Sequence, residues 1–198
     1  MRLFAAVLPP EPIADELARF AGALHTVRGV DPDAVRWTDR ANWHFTLAFM
    51  AEVPDESVPD LAGRLRRSAR RTAPFRLSLR GGGHFGGRAL WVGAGGAVPE
   101  LRILAGRAGA AARKAGVTME EHRAYRPHLT LARSRGETDL IPYMEALAAF
   151  EGTPWTVADL ALVRSNLPRS GVPGEQPRYE VVGRWALGGA GGDGDEAG

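Results

Sequence analysis

One five-residue pattern occurs twice in this chain, and it limits the possible folds more than any other feature. His44-Phe45-Thr46-Leu47-Ala48 and His128-Leu129-Thr130-Leu131-Ala132 agree at four of five positions. Five histidines in 198 residues would supply roughly 0.2 His-x-Thr triplets by chance, so two copies in matching contexts point to an internal duplication. Both copies fall in strand-like sequence, where side chains alternate and residues i and i+2 share a face. Each His therefore projects together with its Thr, while Phe45, Leu47, Leu129 and Leu131 turn the other way, into a core. Two lobes related by a pseudo-twofold axis would bring two imidazoles and two hydroxyls to one cleft.

The remaining sequence supports such a fold. Residues 2–8 read as a buried strand, followed by a prolyl turn and a helix through Ile13, Leu17, Phe20 and Leu24. Residues 35–37 and 43–50 are extended, with a turn or short helix between them, and 54–71 form an amphipathic helix. Strands at 75–80 and 88–94 flank a glycine-rich run, 81–87, read as the connection of a long hairpin or a crossing between lobes. A helix at 98–115 stops at Gly116 and a strand follows Pro127 over 128–133. A helix at 140–150, strands at 155–163 and 178–187, and a loop at 168–177 complete the order. Strands returning in pairs around helices indicate an α+β fold with mainly antiparallel sheets.

Composition excludes several classes. There is no cysteine, hence no disulfide framework, iron–sulfur cluster or thiol nucleophile, which fits a reducing cytoplasm. The apolar N-terminal run ends at Pro9-Pro10, too short to span a membrane. No glycine-rich phosphate loop follows a strand. Residues 1–187 are expected to form one domain of two lobes, and the Gly/Asp-rich residues 188–198 a disordered tail.

Two histidines and two threonines on one cleft suit phosphodiester cleavage at a ribose. With an ordinary pKa of about 6.5, one neutral imidazole takes a proton from water while a protonated one delivers a proton to the leaving oxygen. Threonine hydroxyls can donate to nonbridging phosphate oxygens. Two other classes remain open: a metallohydrolase using these histidines as ligands, though no carboxylate spacing supports one, and a noncatalytic binder of RNA ends.

The paired His-x-Thr motifs, the start Met1-Arg2-Leu3-Phe4-Ala5-Ala6, Arg36-Trp37, Pro127 through Arg133, Leu162-Val163-Arg164-Ser165 and Tyr179-Glu180-Val181 resemble the two-histidine phosphoesterases. The chain is most similar to the LigT-like RNA 2′,3′-cyclic phosphodiesterases, also called 2′-5′ RNA ligases, over about residues 1–187. The resemblance implies a bilobal fold with two sheets, helices outside and a central active-site cleft. It also implies hydrolysis of RNA cyclic phosphate ends to 2′-phosphates, with reverse 2′-5′ ligation as a further capacity. No metal or other cofactor is implied. His44 would be the general acid and His128 the general base, and Thr46, Thr130 and Arg133 would bind phosphate. Phe49, the counterpart of Arg133 in the first motif, is a candidate base-stacking group. Strict alternation puts Arg133 opposite His128, so its role requires a strand end or bulge there. Expected substrates are RNAs ending in a cyclic phosphate, tRNA fragments among them, acted on by a monomer. A small cyclic phosphate such as ADP-ribose 1″,2″-cyclic phosphate is the alternative substrate.

Other conspicuous residues receive plainer readings. His25, His84 and His122 lack a duplicated partner; the arginine-rich stretch 64–71 reads as the solvated face of a helix. Trp37 and Trp43 read as core and cleft wall.

Overall fold

The structure is a computed structural model, and it describes residues 1–28, 31–119, 124–168 and 175–189. His122, residues 169–174 of the anticipated loop and residues 190–198 of the anticipated tail lie outside the described residues.

Among the described residues, nine strands form two antiparallel sheets. The first has the order β3 (Phe45–Met50), β1 (Leu3–Val7), β8 (Asp159–Asn166), β9 (Arg178–Ala186). The second runs β2 (Val35–Trp37), β6 (Leu129–Ser134), β5 (Ala89–Gly96), β4 (Phe75–Phe85), β7 (Trp155–Val157). The α-helices among the described residues are α1 (Glu11–Leu24), α2 (Val58–Arg70), α3 (Val98–Lys114) and α4 (Ile141–Ala148). Helices α2 and α3 pack together and against the first sheet, and α4 covers β4 and β5 of the second. This is the α+β, two-sheet arrangement expected.

Each motif strand sends its apolar residues into the main core: Phe45 and Leu129 are fully buried, and Leu47 and Leu131 nearly so. Burying one such side chain contributes roughly 1.5–3 kcal/mol, which holds the motif strands in a single register. On α2, Leu61, Leu65 and Ala69 are buried while Arg66, Arg67 and Arg70 are exposed, so the basic run is the solvated side of an amphipathic helix. The Gly116 stop has φ +77°, a conformation open to glycine.

Two expectations need correction. The stretch 155–163 is not one strand. It divides at Ala158 into β7, which pairs with β4 in one sheet, and β8, which pairs with β1 and β9 in the other. Alternation is interrupted at the break, where exposed Ala158 and half-buried Asp159 separate buried Val157 from the buried run 160–163. The glycine run is mostly strand rather than connection: β4 extends to Phe85, with a bulge at Gly81 (φ +61°). The glycines at 82 and 83 admit close neighbours, since a Cβ on Gly83 would collide with the Trp91 indole, and one on Gly82 would meet Leu147 at 2.7 Å.

Candidate active site

The two motif strands deviate from regular pairing at the same place. Between β1 and β3 the register passes from Ala5↔Ala48 to Ala6↔Thr46, leaving Leu47 unpaired. Between β5 and β6 it passes from Leu90↔Ala132 to Trp91↔Thr130, leaving Leu131 unpaired. A bulge inserts one residue and resets the alternation. Leu47-Ala48 and Leu131-Ala132 are therefore consecutive buried pairs, and Phe49 and Arg133 come back to the face of the histidines. The structure thus brings His44, Thr46, Phe49, His128, Thr130 and Arg133 to the wall of one cleft of about 500 Å³. Both histidines stand immediately before their strands, not within them.

Each imidazole is held by its backbone in the same way. His44 Nδ1 lies 2.7 Å from the Asn42 carbonyl oxygen, and His128 Nδ1 2.7 Å from that of Arg126. A carbonyl only accepts, so Nδ1 carries the hydrogen and Nε2 is left for chemistry. At His44 the Thr46 hydroxyl donates to Nε2 at 2.9 Å.

Aromatic rings complete both settings. Phe4 stacks on His44 at 4.5 Å between centroids, and Tyr179 meets it edge-on at 5.4 Å. Phe85 meets His128 edge-on at 4.7 Å, backed by Trp91. Burial beside these rings removes water from the imidazoles and disfavours their charged forms. His44 is pulled down to about 4, chiefly by desolvation and further by the charge of His128, against the Asn42 hydrogen bond. His128 is also lowered, by desolvation first and by Arg133 in addition.

Positive charge rims the cleft. Arg36 and Arg133 are direct cross-strand partners on β2 and β6, and both line the cleft with Arg2. Among the described residues, no carboxylate lies within ion-pair distance of these three guanidiniums. Like charges placed opposite one another cost stability, and an anion between them removes that cost. Arg2 lies over the Phe49 ring, 4.6 Å from its centroid. Among the described residues, no group of three or more His, Asp or Glu side chains converges as a metal-ligand set.

Several contributors were not singled out as site residues from the sequence. Gln176 accepts from the Asp39 amide and donates to the Trp37 carbonyl at 2.9 Å, while Asn42 donates to the Pro177 carbonyl. These bonds tie the approach to the first motif to the approach to β9, and so set Tyr179 against His44. Arg2, Phe4 and Tyr179 belonged to the resembling segments, but only the pairing of β1 with β3 and β8 gives them a place in the cleft. Trp37 lines the cleft and Trp43 is buried. His25, packed against Trp37, and the exposed His84 do not line it.

Comparison with known proteins places this geometry in a family. The model of the 2′-5′ RNA ligase superfamily matches residues 9–169. The chain belongs to this superfamily. A relative named RNA 2′,3′-cyclic phosphodiesterase, from Thermus thermophilus, is 33% identical over 194 residues, which is 94% of this chain and 90% of the relative. One of the same name from Escherichia coli is 30% identical, covering 94% of this chain and 96% of the relative. The crystal structure of E. coli LigT in apo form superposes with a TM-score of 0.73 at 27% identity, covering 94% of this chain and 96% of that one.

Proposed function

We propose that this superfamily member hydrolyses 2′,3′-cyclic phosphate ends of RNA, with His44 and His128 acting as acid and base. The activity follows the superfamily and the name its relatives carry. The observation that carries the mechanism is the pair of imidazoles, each with Nδ1 tied to a carbonyl, on one cleft rimmed by guanidiniums that have no ion-pair partner among the described residues.

His128 Nε2 takes a proton from water as its oxygen attacks phosphorus. The bond from phosphorus to O3′ breaks, and His44 Nε2–H protonates the departing O3′, leaving a 2′-phosphate and a 3′-hydroxyl. Thr46, Thr130 and Arg133 hold the nonbridging oxygens, where negative charge grows. Phe49, covered on one face by Arg2, offers the other face to a base. Protonation of His44 has a second effect: Nε2 ceases to accept from Thr46, which frees that hydroxyl for a phosphate oxygen.

Both imidazoles titrate below the ordinary range in the free protein, and a bound phosphate anion favours their charged forms. The optimum of kcat, which reports the bound complex, therefore lies at higher pH than that of kcat/KM. The cleft is complete within one chain, which supports a monomer as the working unit; tRNA fragments and a cytoplasmic setting fit the same chemistry.

The test is hydrolysis of a short RNA ending in a 2′,3′-cyclic phosphate, in excess chelator, with the product followed by phosphorus NMR. A 2′-monoester is expected. A 3′-monoester would overturn the regiochemistry, loss of turnover in chelator the metal-free mechanism, and no turnover with or without chelator the function itself.

A further inference from the structure

A second groove, of about 810 Å³, opens beside the catalytic cleft. Arg2, Ser165 and Gln176 line both, so the two form one continuous depression. Arg164, Leu167 and Arg178 line its far part, from the end of β8 and the start of β9. Arg164 is balanced by Glu180 at 3.6 Å, and Glu175 adds a carboxylate to the groove wall. Arg2 and the exposed Arg178 have no carboxylate within ion-pair distance among the described residues. Leu167, 54% exposed, presents bare aliphatic surface between these charges.

An RNA that ends in a cyclic phosphate has no nucleotide beyond it, so the rest of the strand lies to the 5′ side and must leave the cleft through an opening. Guanidiniums for the backbone, with apolar surface for base faces, are what an unpaired strand requires of its binding surface. We propose that this groove holds the nucleotides immediately 5′ of the reacting end, making the protein selective for single-stranded oligonucleotides over cyclic mononucleotides. The assignment rests on the function proposed above.

The experiment compares a nucleoside 2′,3′-cyclic phosphate with a five-nucleotide RNA carrying the same end, in the parent chain and in Arg178→Glu. The parent is expected to show a KM for the pentamer at least tenfold below that for the mononucleotide. Arg178→Glu should raise the pentamer KM about tenfold and lower the slope of log KM against log salt by about 0.7, the share of one lost single-strand phosphate contact. Mononucleotide kinetics serve as the measure of correct folding. If Arg178→Glu lowers turnover of both substrates, Leu167→Glu at the same groove replaces it, with the same selective effect expected. Equal KM values for the two substrates in the parent, or pentamer kinetics indifferent to both variants, would overturn the groove assignment while leaving the hydrolytic reading intact. Failure of the parent on both substrates would overturn the two together.

Discussion

The two motif lobes share a scaffold and differ in how they treat their histidine. His44 lies under Phe4, faces the edge of Tyr179 and is bonded through Nε2 to Thr46, just before a strand that among the described residues pairs with β1 alone. His128 stands before a strand flanked on both sides, by β2 and β5, and no hydrogen bond joins it to Thr130 among the described residues. The matching bulges carry Phe49 to the cleft in one lobe and Arg133 in the other. The same backbone device aims three side chains at the cleft from each motif, and the third differs, an aromatic ring in one and a guanidinium in the other. One lobe is drier and the other more cationic, so the two imidazoles sit in different electrostatic settings.

The largest expected effect is on the histidines. His44→Ala and His128→Ala should each lower kcat by about 10²–10⁴, the usual contribution of general acid–base groups. On a diester with a p-nitrophenolate leaving group, which needs no protonation, His44→Ala should recover most of its rate and His128→Ala should not. Equal recovery would erase the proposed division of roles.

Stability against acid comes next. With its folded pKa depressed to about 4, His44 is protonated first in the unfolded chain. Its contribution is complete above pH 6.5 and is lost as pH falls from 6.5 to 4. At roughly 1.4 kcal/mol per pKa unit, the loss approaches about 3 kcal/mol. Denaturant unfolding of the parent and of His44→Gln at pH 7.5 and 4 measures it, and parallel losses in the two proteins would contradict the buried setting of His44.

The third residues give the smallest and most discriminating differences. Arg133→Ala removes a charge-assisted contact of about 1.5–3 kcal/mol, so kcat/KM should fall about 10–100-fold. Phe49→Ala should raise KM several-fold, in keeping with about 1 kcal/mol of stacking, and leave kcat within a factor of two. A kcat defect in Phe49→Ala as large as that in Arg133→Ala would mean that the lobes do not divide binding in this way.

The grouping of the two histidines and two threonines on one cleft was legible in the sequence because it depends on local spacing. His-x-Thr puts both groups on one face of an extended segment whatever lies around it, and the apolar residues between them indicate which face is buried. Helices α1 to α4 were legible for the same reason, since an apolar stripe or a proline and glycine pair marks each locally. Even the need for a strand end or bulge at Arg133, if that residue was to reach the cleft, followed from the two-residue period.

Tertiary structure alone decided the partners. Which residue of β3 or β6 stays unpaired depends on the strand alongside, and the division at Ala158 depends on two sheets competing for one chain. Arg2, Phe4, Gln176 and Tyr179 reach the cleft because β1, β8 and β9 pair across long sequence separations. Those pairings are chosen by burial of whole faces, and no short stretch of sequence carries that information.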